Sequence, residues 1–317
     1  HERHHRHGDH GAVMIGLALS TWTAATSAAP LPADPRDYPA LMAGAIWVPG
    51  MGQTYGANLT VLSQATQANT IQTGTVTGDI PVPSTAGNGA AYWSYAGKAN
   101  PSLAIPKTAA LGTGPGAGSA LQWTSKGTYA GWFKACSVQD TASHFLLSHA
   151  YGTASKSRFE LRKNLGSGAD QDRLVVEMSF DGTTADGMPG SRCKWNSLAN
   201  VADFTQWLFI RVKVDMTAAN YQSAGANKSY RLRVWINEVE VSGTFSAPGP
   251  ANGGDPPDGP VRAGPFASDS WLSIGASAIS SPIKVGVGPV YVANEDSAAT
   301  ISDAAWARIM TFHAPGD

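Results

Sequence analysis

The chain has 317 residues, with 22 basic and 23 acidic side chains and a net charge of −1. That balance excludes the strong basic excess of a nucleic-acid-binding domain. Charged residues make up 14%, against about 25% in an average domain; two cysteines exclude a disulfide-dense scaffold and most structural zinc sites, and 43% hydrophobic residues allow a real core.

The first ten residues, HERHHRHGDH, hold five of the eight histidines. They read as a metal-binding tract or as residues upstream of a start at Met14. Ala12 to Ala29 is apolar and ends in small residues, which imitates a signal peptide. Its apolar core from Val13 to Leu19 is short, and Ser20, Thr21 and Trp22 break it. An ordered arm over 1–37 that packs on a partner is the preferred reading, and no stretch has the ~18 uninterrupted apolar residues of a membrane span.

Between Tyr38 and Ser125 only Asp79, Lys98 and Lys107 are charged, three in 88 residues. A free surface usually carries more charge. Residues 38–118 are therefore expected to be an assembly region whose surface is buried against other subunits. Within it, Thr73 to Ile80 alternates β-branched residues as a short strand does. Gly112 to Gly118 is a break. It lacks the Lys-Ser/Thr ending of a phosphate loop.

From residue 119 the pattern changes to short alternating runs bounded by turn residues. Strands are predicted at 121–123, 129–135, 144–148, 158–162, 173–180, 207–214, 230–237, 239–241, 271–275 and 285–292. In the run from 230 to 237, Leu232, Val234 and Ile236 face one way, and Arg231, Arg233 and Trp235 the other. Ten strands without intervening helices predict an antiparallel sandwich. One helix closes the chain: Thr300 or Ser302 caps it, Asp303 complements its N-terminus, and Ile301, Ala305, Trp306, Ile309 and Met310 form its apolar stripe.

The order of these landmarks resembles a laminin-G-like, concanavalin-A-like jelly roll over residues 119–314. Gly131-Trp132-Phe133-Lys134 is similar to that family's opening strand. Phe159-Glu160-Leu161 and Leu174-Val175-Val176-Glu177 resemble its next hairpin. Asp203 to Val212 resembles its Trp-then-strand segment. Leu232 to Glu238 resembles its strand and turn, with Glu238 where the family has glycine. Leu272 to Gly275, Val287 to Val292 and the helix at Ile301 to Ala305 match its end. The resemblance implies an all-β fold, an antiparallel jelly-roll sandwich over 119–317, with an extended N-terminal arm and one short C-terminal helix. The opening from Met14 to Ser20, followed by a neutral region and one jelly roll, resembles structural proteins of tailed bacteriophages. That implies a virion location as a head decoration, head fibre or tail adhesin protein. Its partners would be other virion proteins, further copies of itself and a host-surface glycan, with no nucleic acid or membrane.

Catalytic residues are not expected. Retaining glycoside hydrolysis needs two carboxylates about 5 Å apart. Within the predicted strands, Glu238 and Glu240 are the only close acids along one run, and they sit at a turn. His144 and His149 flank a strand and read as surface or hydrogen-bonded residues. A Gly-x-Ser-x-Gly elbow is absent. The family resemblance points to calcium, for which Asp181 and Asp186 offer hard oxygen ligands in a Gly-bearing loop. The same residues also make ordinary Asp-Gly turns. For a sugar, Trp195 with Arg192 and Asn196 on a loop from 188 to 200 offers an aromatic plane beside polar groups, and Trp235 offers another. Cys136 and Cys193 either pair or stay as two thiols. The alternative to a virion protein is a secreted bacterial carbohydrate-binding or glucan-hydrolysing protein, with 12–29 as its signal.

Overall fold

The computed structural model describes residues 31–50, 58–60, 70–73, 81–97, 103–105, 123, 125–137, 142–151, 157–164, 173–180, 192–198, 202–215, 232–246, 270–275, 283–296 and 298–317. The histidine tract, the 12–29 segment, the Gly112–Gly118 break, Gly74 to Ile80 of the expected first strand, and Asp181 and Asp186 lie outside these.

A short helix α1 (Pro39–Ala43) leads into β1 (Ala45–Trp47). The charge-poor stretch then supplies β2 (Asn58–Thr60), β3 (Thr70–Thr73), β4 (Val82–Thr85), β5 (Ala91–Ser94) and β6 (Leu103–Ile105). Next come β7 (Lys126–Lys134), β8 (His144–Tyr151), β9 (Ser157–Lys163), β10 (Leu174–Phe180), β11 (Arg192–Ser197) and β12 (Leu208–Asp215). The last strands are β13 (Leu232–Ile236), β14 (Val239–Glu240), β15 (Gly243–Ser246), β16 (Ser270–Ile274) and β17 (Gly286–Asn294), followed by α2 (Asp303–Ile309).

These strands form two sheets with every described ladder antiparallel. Sheet A runs β14-β13-β12-β7-β17-β5-β4, with β1 also on β17; sheet B runs β15-β11-β10-β9-β8-β16-β6-β3-β2. The fold is thus an all-β antiparallel sandwich, as the alternation predicted. In β17 the register slips between Val287 and Val290. Pro289 lies in that interval and has no N–H to donate to a ladder, so a bulge relieves the mismatch.

The inner faces of both sheets supply one core. Tyr129, Phe133, Ile210, Val212, Val234, Val290 and Val292 come from sheet A; Leu147, Phe159, Leu161, Val176, Trp195, Leu272 and Ile274 come from sheet B. Alternation explains the set, since every second residue of a strand meets the opposite sheet. At about 25 cal/mol per Å² of apolar surface buried, this packing supplies most of the driving force.

The boundary expected at 118/119 does not separate two regions. Strands β1, β4 and β5 pair into sheet A, and β6, β3 and β2 pair into sheet B beside β16. Trp47 and Trp93 of this stretch are fully buried in the common core. The stretch is poor in charge partly because its strands are used inside this sandwich.

A second apolar cluster lies on the other side of sheet A. Ile46, Ala130, Phe209, Tyr291 and Ala293 meet Ala40 and Leu41 of α1 and Ala305, Trp306 and Ile309 of α2. Ser302 caps α2 by accepting from the Ala305 N–H at 3.2 Å, as expected. Trp132 Nε1 donates to the Met310 carbonyl at 3.1 Å and fixes the other end. No described helix is long and apolar enough to cross a membrane.

Candidate functional site

Among the described residues, three places gather polar chemistry: the core between the sheets, the outer face of sheet A, and the outer face of sheet B.

In the core, Trp123 Nε1 donates to the Tyr129 hydroxyl at 3.0 Å, and that hydroxyl lies 2.7 Å from His149 Nδ1. Tyr129 also stacks on Phe159, with ring centroids 4.0 Å apart. Burial pushes the Tyr129 phenol well above its usual range and pulls the His149 imidazole down to about 3. His149 is thus neutral and fully buried, as a hydrogen-bonded residue and not a surface one. His144 is also buried, at 1% exposure. Period-2 alternation put both on a strand but did not say which side met the second sheet.

On the outer face of sheet A the centre is Arg211, 1% exposed. Its guanidinium grips Glu238 through Nε at 2.9 Å and Nη2 at 2.7 Å, and reaches Asp303 of α2 at 3.0 Å. It lies 3.6 Å from the centroid of the Trp235 ring, and Arg233 lies 4.5 Å from the same ring. Arg233 in turn holds Glu240 at 3.0 and 2.7 Å. Trp235 is 2% exposed beneath these two cations, so it is not the open sugar platform expected of it. Glu238 and Glu240 are each spent on an arginine. Burial raises the Glu238 carboxyl above its ordinary value, and Arg211 pulls against that shift.

The β13–β14 turn explains Glu238 where glycine was expected. Asn237 and Glu238 both have positive φ, 49° and 62°, the signature of a two-residue type I′ hairpin. Asn237 Oδ1 accepts from the Phe209 N–H at 2.9 Å, and the Asn237 N–H donates to the Phe209 carbonyl at 2.7 Å. Side-chain bonding to Arg211 holds Glu238 in a conformation that costs a non-glycine residue on the order of 1 kcal/mol or more.

The outer face of sheet B is different in kind. Its register lines up Lys194, Glu177, Glu160, Ser148 and Ser273 across five adjacent strands. A neighbouring line carries Asn196, Val175, Arg162 and Phe145. Apart from Lys194, whose side chain lies outside the description, these alternate with residues of the core and occupy the face turned away from it. Glu160, Glu177, Ser148 and Ser273 are buried; Arg162 and Asn196 are half-buried. Arg162 Nη2 meets Glu177 at 3.3 Å and its Cζ stands 5.6 Å from the Phe145 centroid. Two buried donors on this face, Arg162 Nε and Ser273 Oγ, have no hydrogen-bond partner. A native structure rarely leaves such groups unsatisfied, because each forfeits its hydration for nothing.

The expected sugar residues fall on different sides of sheet B. Residues 192–197 form β11 and not a loop, paired with β10 and β15. Asn196 lies half-buried on the outer face; the Arg192 side chain lies outside the description. Trp195 faces the core and is 4% exposed, so it is no open aromatic plane. Sequence reading missed Glu160, Glu177, Arg162, Ser148 and Ser273. The alternation Arg158-Phe159-Glu160-Leu161-Arg162 was the signal for Glu160 and Arg162, but only cross-strand register brings Glu160 opposite Glu177. Cys136 is buried; the Cys193 side chain, and with it the pairing of the two, lies outside the description. Among the described residues no three His, Cys, Asp or Glu side chains gather as a metal set.

No family model matches this chain. No curated protein matches it. Among solved structures it is similar to the Ruminococcus gnavus IT-sialidase CBM40 bound to alpha2,3 sialyllactose, at 12% identity over 70% of this chain and 92% of that one, TM-score 0.37. It is similar to domain 4 of AbnA, a GH43 extracellular arabinanase from Geobacillus stearothermophilus, in complex with arabinotriose: 14% identity, 84% and 86% of the two chains, TM-score 0.36. The botulinum neurotoxin serotype D/C VPI 5993 binding domain gives 9% identity, 83% and 50%, TM-score 0.43. At this level of likeness, fold and function rest on the chain's own residues.

Proposed function

We propose that this chain is a non-enzymatic glycan-binding protein that uses the outer face of sheet B. The observation that carries this reading is the pair of buried donors without a partner, Arg162 Nε and Ser273 Oγ, on a polar face where half-buried Asn196 stands beside the buried Glu160 and Glu177. Sugars are recognised by hydrogen-bonding side chains fixed on a rigid scaffold, and strands of a sheet hold such groups in register.

Binding is favoured over hydrolysis. Glu160 and Glu177 are opposed in register, a placement that spaces Cβ atoms about 5 Å apart, near the separation retaining chemistry uses. Yet Glu177 is 2% exposed and already ion-paired with Arg162 at 3.3 Å.

The chain's setting is proposed as extracellular. A virion structural protein, anchored by its N-terminal region and present in several copies, is supported by the resemblance of its opening and by the charge-poor stretch. That second support weakens where β1, β4, β5 and β6 join this sandwich. The secreted carbohydrate-binding reading draws on the same sheet face and needs no assembly surface. Calcium at Asp181 and Asp186 remains part of the proposal only as a cation expected from the resemblance.

A glycan array probed with the full chain tests the reading, followed by a reducing-sugar assay on each hit. Binding without release of new reducing ends is expected. Turnover that Glu160→Gln abolishes would replace binding with hydrolysis, and no binding to any glycan would remove the reading.

A further inference from the structure

The aromatic plane that Trp195 and Trp235 do not supply stands on another part of the molecule, on sheet A beyond the apolar cluster under the helices. Trp93, Phe133, Leu208 and Val287 point into the core. Their neighbours Tyr92, Lys134 and Gly286 therefore lie on the outer face, and contact across Gly286 places Trp207 with them. Neither the Tyr92 ring nor the Trp207 ring belongs to the cluster under α1 and α2, and both are half-buried. The two rings meet edge to face, 5.1 Å between centroids at 69°. Gly286 is the floor between them: a Cβ there would sit 2.5 Å from Tyr92 Cδ2 and 3.0 Å from Trp207 Cη2. Any side chain at 286 would push the rings apart, so glycine keeps the pair together.

The rim is polar. Lys134, opposite Gly286 in the register, holds Asp317 at 2.6 Å, and the Asp317 side chain is 54% exposed. The tail that carries Asp317 is tied down: Asn88 Nδ2 donates to the Ala314 carbonyl at 2.9 Å, and the Asn88 N–H donates to the Gly316 carbonyl at 3.2 Å. On the Trp207 side, Asp203 is exposed and accepts from the Thr205 N–H at 2.9 Å and the Thr205 hydroxyl at 2.5 Å. Those bonds, with the charge of Lys134 added, hold the Asp203 carboxyl below its ordinary value. Gln206 is exposed next to Trp207 in the chain. An ammonium already paired and two exposed carboxylates offer acceptors to hydroxyls and repel anions.

This combination selects its occupant. A sugar ring has one face of C–H groups, which settles on the negative face of an aromatic ring, and a periphery of hydroxyls that seek fixed acceptors and donors. Two half-covered rings, each of roughly 150–250 Å² when whole, leave at most about 200 Å². A protein partner would need about 800 Å². We propose that Tyr92 and Trp207 form a stacking platform for one residue of a neutral glycan, with Asp203, Asp317, Lys134 and Gln206 bonding its hydroxyls. This site is separate from the outer face of sheet B and goes beyond the reading given for that face.

The test is titration of the full chain with cellohexaose, laminarihexaose, xylohexaose and mannohexaose, with oligogalacturonate of the same length, and with a proline-rich peptide. At least one neutral hexaose is expected to bind, and Trp207→Ala is expected to weaken it at least tenfold. A thermal melt shows whether that variant folds. Asp203→Asn combined with Asp317→Asn alters exposed side chains only and is expected to weaken the same hexaose severalfold, so it carries the test if Trp207→Ala does not fold. Full affinity in that double variant overturns the assignment of the rim. Full affinity in a folded Trp207→Ala, with loss in Arg162→Gln, overturns the platform and leaves the sheet B reading standing. Equal or tighter binding of oligogalacturonate overturns the neutral preference. Binding of the peptide but of no hexaose overturns the proposal in favour of a peptide site. Absence of binding to every neutral hexaose overturns the platform, while the glycan array judges sheet B separately.

Discussion

The outer faces of the two sheets are built from the same residue types and pair them differently. On sheet A each described charge is answered inside the chain: Arg211 by Glu238 and Asp303, Arg233 by Glu240, Lys213 by Glu295, and Lys126 by Asp215. Helix α2 then closes part of that face. Among the described residues of sheet B, Arg162 pairs with Glu177 and keeps a buried Nε–H unspent. Charge that finds its partner within the fold fixes the fold. Unpartnered donors remain on both sides, Tyr291 Oη and Trp306 Nε1 in the apolar cluster beside sheet A and Arg162 Nε and Ser273 Oγ among polar side chains on sheet B, and the polar setting supports placing the proposed recognition on sheet B.

The sharpest way to break that division is Arg211→Ala. It strips the partner from Glu238, whose side chain is 9% exposed, and removes the cation from above Trp235. Leaving a buried charge uncompensated costs about 3–5 kcal/mol. Denaturant unfolding should show a loss of that size with glycan binding retained by the folded fraction. Adding Glu238→Gln should recover part of it, because the stranded charge is gone. A loss below ~1 kcal/mol would show that sheet A's charges do not hold the fold.

The buried core beneath both faces gives the next effect. His149 has its pKa lowered to about 3 by burial, against 6.5 when exposed. Above pH 6.5 the imidazole is neutral in both states and contributes no pH dependence. As pH falls below 6.5 the unfolded chain takes up the proton first, so stability drops at up to about 1.4 kcal/mol per pH unit down towards pH 3. Comparing unfolding at pH 7 and pH 5 with that of His149→Asn should show a shallower decline in the variant. Equal slopes would mean the ring is not held neutral.

Glu238→Gly separates turn strain from ion pairing. Glycine suits the φ of 62° at that position, but the substitution deletes the carboxylate on Arg211. A net destabilisation of about 1–3 kcal/mol is expected, since the lost charged hydrogen bonds exceed the relieved strain. Net stabilisation would place the position's value in backbone geometry alone. Ser302→Ala should cost about 1 kcal/mol by uncapping α2. The smallest effect belongs to Lys134→Ala, which removes a pair with the half-exposed Asp317 at 2.6 Å. Exposed pairs contribute about 0–1 kcal/mol, and a melt should barely move.

Much of the fold was legible in the residues. Period-2 alternation located β7, β8, β9, β10, β12, β13, β16 and β17, and the Ser302 cap with its apolar stripe located α2. Leu232, Val234 and Ile236 face the core as read, because hydrophobic burial acts on each strand before any partner is chosen. The candidate site was legible only in pieces. Asn196 was named, yet with Trp195 as its companion, and β11 turns that indole to the opposite side. The Trp235 strand face was read as wet, and Arg211 and Arg233 cover it.

The sequence by itself determined the all-β class, the closing helix and which residues of each strand seek the core, since these depend on local period and composition. Only the tertiary structure decided that β1 to β6 belong to this sandwich, that Glu160 stands opposite Glu177, and that Arg211 is neutralised while Arg162 keeps a donor free. Those facts depend on register between strands far apart in the chain. Register is set by the packing of two whole sheets, which no window along one strand contains.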